Sequence, residues 1–96
     1  MREVVERLKA YLARDRTGLR RELLLIFLQG GKYSSSEIHD LLKSKGYDVN
    51  QKGVSAMIGI IGSRLGIIKS EGGDKRKYYL KKEYVELVRE IVEANL

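Results

Sequence analysis

The side chains able to do chemistry in this 96-residue chain are mostly cations. Cysteine is absent and His39 is the single histidine, which leaves no basis for disulfides, thiolate nucleophiles or a Cys/His zinc site. The segment "QGGKYS" (29–34) has Gly-Gly-Lys but lacks the spacing of a P-loop, so its amides would not cradle phosphates. Gly59, Gly62 and Gly66 do not sit between a strand and a helix, so no dinucleotide fingerprint forms. Nothing in the placement of Ser, Asp and His suggests a triad. The chain is therefore expected to be no enzyme, with no catalytic residue, metal, cofactor or small-molecule substrate. What stands out instead is "IIKSEGGDKRKYYL" (67–80), in which Lys75, Arg76 and Lys77 follow Gly72-Gly73-Asp74. A row of cations at a turn is suited to phosphate contact.

The formal charge is +6 and is unevenly spread. Residues 67–82 carry Lys69, Lys75, Arg76, Lys77, Lys81 and Lys82 against Glu71 and Asp74. Residues 83–96 carry Arg89 against Glu83, Glu86, Glu90 and Glu93. A basic hairpin followed by an acidic helix makes a polarised molecule, one side attracted to polyanions and another repelled. The length predicts one domain. The longest apolar run, "LLLIFL" (23–28), falls far short of the roughly 20 residues that span a bilayer. No signal-peptide pattern opens the chain, and the lack of cysteine fits a reducing compartment, so a cytoplasmic protein without membrane contact is expected.

Several elements must position these cations. Val4, Val5, Leu8, Tyr11 and Leu12 form one apolar face of a helix over 2–14, and Gly18 punctuates it. The run Leu23 to Leu28 predicts a second helix over 19–29, ended by Gly30-Gly31. In "YSSSEI" (33–38), Ser34 as N-cap and Glu37 as N3 form a capping box, with Tyr33 and Ile38 placed as a hydrophobic staple. Gly46 stops that helix. Asn50 caps the next, which runs to Leu65 with Val54, Met57, Ile58, Ile61 and Leu65 on its inner face. After Gly66 the period changes to two, predicting strands at 67–71 and 76–80 around a Gly72-Gly73 turn, with one or two residues near Tyr33 as a third strand. Residues 82–95 return to helical spacing through Tyr84, Val85, Val88, Ile91 and Val92.

"SSSEIHDLLKSKGYDVNQKGVSAMIGIIGSRLGIIKSEGGDKRKYYL" (34–80) resembles helix 2, helix 3 and the wing of winged-helix DNA-binding domains. Its ending, "LGIIKSEGGDKRKYYL", is similar to the strand, glycine-tipped wing and final strand of many such regulators. The whole chain also resembles a small archaeal winged-helix family of similar length that carries no assigned function. The expected fold class is α+β, mostly α: a winged helix-turn-helix of three core helices and a β-hairpin wing, with extra helices at both ends. Residues 1–17 would be the N-terminal extension, 18–81 the core with its wing at 67–80, and 82–96 the C-terminal helix.

The resemblance implies that residues 51–64 enter the major groove of double-stranded DNA while the wing reaches the neighbouring backbone. The outward face of that helix offers Gln51, Lys52, Ser55, Ala56, Gly59, Ser63 and Arg64, and the wing offers Lys69, Lys75, Arg76 and Lys77. Long polar side chains stand only at the two ends of the helix, so affinity should be dominated by phosphates and base discrimination should be modest. A transcription regulator follows from that reading. The small residues Ala56 and Gly59, with Ile60 beside them, equally suit a protein contact, which makes a winged-helix interaction module the alternative. Tyr78 and Tyr79 read as strand packing, one turned to the core and one half exposed, and His39 as a boundary residue. The broad apolar stripes of the terminal helices either cap the same domain or, in the preferred reading, form a homodimer, which would set two recognition helices about one DNA turn, roughly 34 Å, apart.

Overall fold

A computed structural model of the protein describes residues 2–94. The chain is α+β and mostly helical. Helices α1 (Arg2–Ala13) and α2 (Leu19–Leu28) lead into strand β1 (Tyr33–Ser34), which runs directly into α3 (Ser35–Ser44). Helix α4 (Gln51–Ile60) ends in a wide π turn (Ile61–Leu65). The hairpin β2 (Ile68–Glu71) and β3 (Lys77–Leu80) follows, then a 3-10 turn (Lys82–Tyr84) and α5 (Val85–Ala94). The arrangement is compatible with a winged-helix-like fold.

Local chemistry explains most of the boundaries. Ser34 Oγ accepts the Glu37 amide at 3.1 Å, and the Glu37 carboxylate accepts the Ser34 amide at 2.8 Å, completing the expected capping box. Gly46 closes α3 at φ 91°, a left-handed conformation that a side chain would strain. Asn50 Oδ1 accepts the Gly53 amide at 2.7 Å and starts α4. The start of α2 is less obvious, because Gly18 at the cap position has no side chain. The Asp15 carboxylate takes that role from outside, accepting the amides of Gly18, Arg20 and Arg21 at 3.0–3.2 Å.

The sheet is antiparallel in the order β1-β3-β2, with Tyr33 opposite Tyr78 and Ile68 opposite Leu80. The third strand near Tyr33 is therefore present. Both hairpin strands start one residue later than the apolar pattern predicts, and Ile67 is fully buried just ahead of β2. Met57 is half-buried, while Val54, Ile58, Ile61 and Leu65 form the inner face of α4 and its last turn. The helix expected over 82–95 opens as a 3-10 turn, and Asn95 lies outside the described residues.

One apolar cluster joins all five helices to the hairpin. Leu23, Leu24 and Ile26 of α2 are fully buried at its centre, each stabilised by about 1.5–3 kcal/mol relative to exposure. The terminal helices close on this same core. Leu8 of α1 and Val88 and Val92 of α5 are fully buried within a single chain, with α5 packed on α1 and α2. Most of the apolar stripe that suggested a dimer is thus consumed internally. Val4, Val5, Val85 and Leu87 remain as half-buried margins.

Candidate nucleic-acid interface

With Val54 and Ile58 anchoring α4 inward, its other side faces solvent. Gln51, Lys52, Ser55, Ala56 and Gly59 are exposed along α4, and Ser63 and Arg64 on the π turn continue that surface. From Val49 to Ser70 the chain contains no acidic residue, so no carboxylate from the helix itself opposes an approaching phosphate. Ile60, at 36% exposure, is the one large hydrophobic side chain in the open among the described residues. A methyl group at Gly59 would meet nothing within 4 Å, so this stretch of backbone is bare.

The hairpin cations are all exposed. The central position of β3, paired with β1 on one side and β2 on the other, carries the hairpin tip to the first turn of α3. Residues 74–78 and Ser34 to Glu37 line a cleft of about 640 Å³ there. Lys77 Nζ lies 3.5 Å from the Glu37 carboxylate. Glu37 is held below the ordinary carboxylate range, chiefly by the backbone hydrogen bond from Ser34 and further by Lys77. The side chains of Lys75, Arg76 and Lys69 have no hydrogen-bond or ion-pair partner among the described residues. Lys32 pairs with Glu71, which stands opposite Lys77 in the hairpin, at 3.0 Å and lies 5.0 Å from the centre of the Tyr79 ring. That hydrogen bond with Glu71 raises the Lys32 ammonium above its usual value. Tyr78 packs on the core and lines the cleft, whereas Tyr79 lies under Lys32; both are half-buried.

Ser63 and Arg64 belong to a second cleft, of about 530 Å³, on which α1 and the start of α2 also border. Arg7, Arg14 and Arg20 join Arg64 there, and Arg7 Nη1 donates to the Arg64 carbonyl at 3.2 Å. The expected contact residues are thus divided. The tip cations Lys75, Arg76 and Lys77 sit with the start of α3, and the end of α4 sits with three arginines not singled out from the sequence. A signal for two of them exists, since Arg7, Tyr11 and Arg14 at i, i+4 and i+7 share one side of α1. Which element lies opposite them is a tertiary matter.

His39 is half-buried and its Nε2 lies 3.0 Å from the Val49 carbonyl, tying α3 to the loop before α4. No group of three or more His, Cys, Asp or Glu side chains is clustered for a metal among the described residues. Among the same residues, no helix is long and apolar enough to cross a membrane.

Residues 8–88 match the family described as "Protein of unknown function (DUF2551)", and the chain belongs to that family. It is 58% identical over 91 residues to a protein of Archaeoglobus fulgidus described as "Uncharacterized protein", covering 95% of this chain and 94% of the relative. No solved structure matches the chain.

Proposed function

We propose that the protein binds double-stranded DNA as a winged helix and acts in transcription regulation. In this reading α4 enters the major groove and the β2–β3 hairpin follows the adjacent backbone. The observation that supports it best is the acid-free stretch from Val49 to Ser70, which exposes every candidate contact of α4 and its last turn. A B-DNA major groove admits one helix, and the small residues Ser55, Ala56 and Gly59 permit close approach. Gln51, Lys52 and Arg64 are the side chains with length for base edges or phosphates. The tip cations supply a further set of phosphate contacts, with the N-terminus of α3 beside them. Lys77 must exchange Glu37 for phosphate when it binds.

Fluorescence anisotropy on a mixed-sequence duplex over a salt series tests this. If about five phosphates are neutralised, log K falls with log salt at a slope near −4.5. The Lys75→Ala/Arg76→Ala/Lys77→Ala variant should lose over half of that slope. An unchanged slope removes the hairpin from the interface.

A second reading, an interaction module that binds protein through α4, draws on the exposed Ile60 beside Ala56 and Gly59. It predicts no duplex binding, or binding that does not respond to salt. The proposal also includes a homodimer joined through the margins Val4, Val5, Val85 and Leu87. Sedimentation giving only an 11.0 kDa species at high micromolar concentration counts against that pairing.

A further inference from the structure

We propose that the cleft between α1, the start of α2 and the π turn binds a small organic anion, with an oxyanion head carried on an apolar or aromatic body. Its charged lining is entirely cationic: Arg7, Arg14, Arg20 and Arg64 border it, with no carboxylate among the described residues that line it. These arginines differ in how far the fold already satisfies them. Arg20 is pre-oriented, donating to the Tyr11 carbonyl at 2.9 Å with its guanidinium 4.6 Å from the centre of the Tyr11 ring. Arg7 has one distant exposed partner, Glu3 at 3.7 Å, in addition to the Arg64 carbonyl. The guanidinium groups of Arg14 and Arg64 have no partner among the described residues. Planar guanidinium forks match carboxylate and phosphate oxygens two at a time, which a bare collection of like charges invites.

Apart from Ser63, the rest of the wall is largely apolar. Ile60 projects at the mouth, and the recessed Tyr11 and Leu65 are 6% and 4% exposed. Burial pushes the Tyr11 hydroxyl up to about 12, so it stays neutral and adds no negative charge at physiological pH. A volume of about 530 Å³ lies within the range of small-ligand sites, roughly 300–1,000 Å³. A DNA backbone is convex and would touch the rim arginines while leaving that recessed wall unused. A compact amphipathic anion uses both. The site stands whether or not α4 meets DNA. Its consequence for α4 rests on the DNA-binding reading, in which a ligand held by Arg64 takes one cation from that surface.

The test uses the full chain without DNA, so its failure is separate from failure of DNA binding. Titration calorimetry with 1-naphthoate is compared with 1-naphthamide, which lacks the charge, and with inorganic phosphate, which lacks the body. The naphthoate should bind saturably at one site, with both comparators about tenfold weaker or worse. Arg14→Ala/Arg64→Ala should weaken naphthoate by about tenfold or more, since it removes two charged contacts that the fold itself does not use. Lys75→Ala/Arg76→Ala, an equal loss of charge at the hairpin tip, should change it by less than about twofold. Amide resonances of Ala10 and Ser63 should shift on titration of the unaltered protein. The proposal is overturned by any of four results: no saturable binding at millimolar naphthoate, equal binding of either comparator, equal loss in the two double variants, or shifts confined to other residues.

Discussion

Replacing Gly59 by alanine separates stability from recognition, because the two should move in opposite directions. Gly59 sits on the exposed side of α4, and a Cβ there meets nothing within 4 Å. Its φ is not in the left-handed region, so the methyl group introduces no backbone strain. Alanine restricts the unfolded chain more than glycine does and favours the helix by about 0.5–1 kcal/mol. For a domain of this size that corresponds to a rise in Tm of roughly 2–8 °C. If α4 lies against a groove at Gly59, the same methyl group intrudes on a packed contact. Overpacking of that kind costs about 1–3 kcal/mol, or about five- to 150-fold in Kd. Calorimetric melting gives the first quantity and anisotropy on duplex DNA at fixed salt gives the second. A more stable variant that binds less well cannot owe its loss to unfolding. Higher Tm with unchanged Kd would refute close approach at this face, and a lower Tm would refute the claim that the position is open.

The other predictions concern how the fold is held. Tyr11 carries a buried hydroxyl with no hydrogen-bond partner among the described residues, so Tyr11→Phe should be neutral or stabilising in denaturant unfolding at neutral pH. In the native protein this phenol ionises only near 12 instead of 10, so rising pH through that window favours the unfolded chain, by up to about 2–3 kcal/mol; the Phe variant should escape this part of the alkaline loss. Glu37, whose native value is depressed, contributes its stability in full above the ordinary carboxylate value of 4.5 and loses it as pH falls through the native value. The difference in unfolding midpoint between the natural protein and Glu37→Gln should accordingly be largest at neutral pH and shrink in acid; a difference independent of pH would argue against the charged cap. Ser34→Ala removes the other half of that box and should cost about 1 kcal/mol, measured by the same unfolding curves.

Much of this architecture was legible in the sequence because it rests on local rules. The Ser34–Glu37 box, the Asn50 cap and the left-handed stop at Gly46 depend on residues only a few positions apart. The change of period after Gly66 likewise marked the hairpin, and the exposure of all the candidate contacts on α4 and the hairpin follows from helical and strand spacing. Other features depend on residues far apart in the chain. Whether the hairpin tip leans toward α3 or α4 is decided by β3 pairing with β1, a contact between Tyr33 and Tyr78 that spacing alone could suggest only loosely. The terminal stripes are covered because α1 and α5 close over α2, a packing that spacing within either helix does not specify.

The arginine cleft shows the same division. The sequence determines by itself that Arg7 and Arg14 lie on one side of a helix and that Arg64 ends another, since helical geometry repeats every 3.6 residues. Only packing decides that those two helices meet at that end, with Arg20 brought in from a third. Burial of apolar side chains holds them together without regard to the charges it gathers at the edge, because the hydrophobic effect is non-directional. Local periodicity therefore foretells what each element presents, and the shared core decides what those surfaces present together.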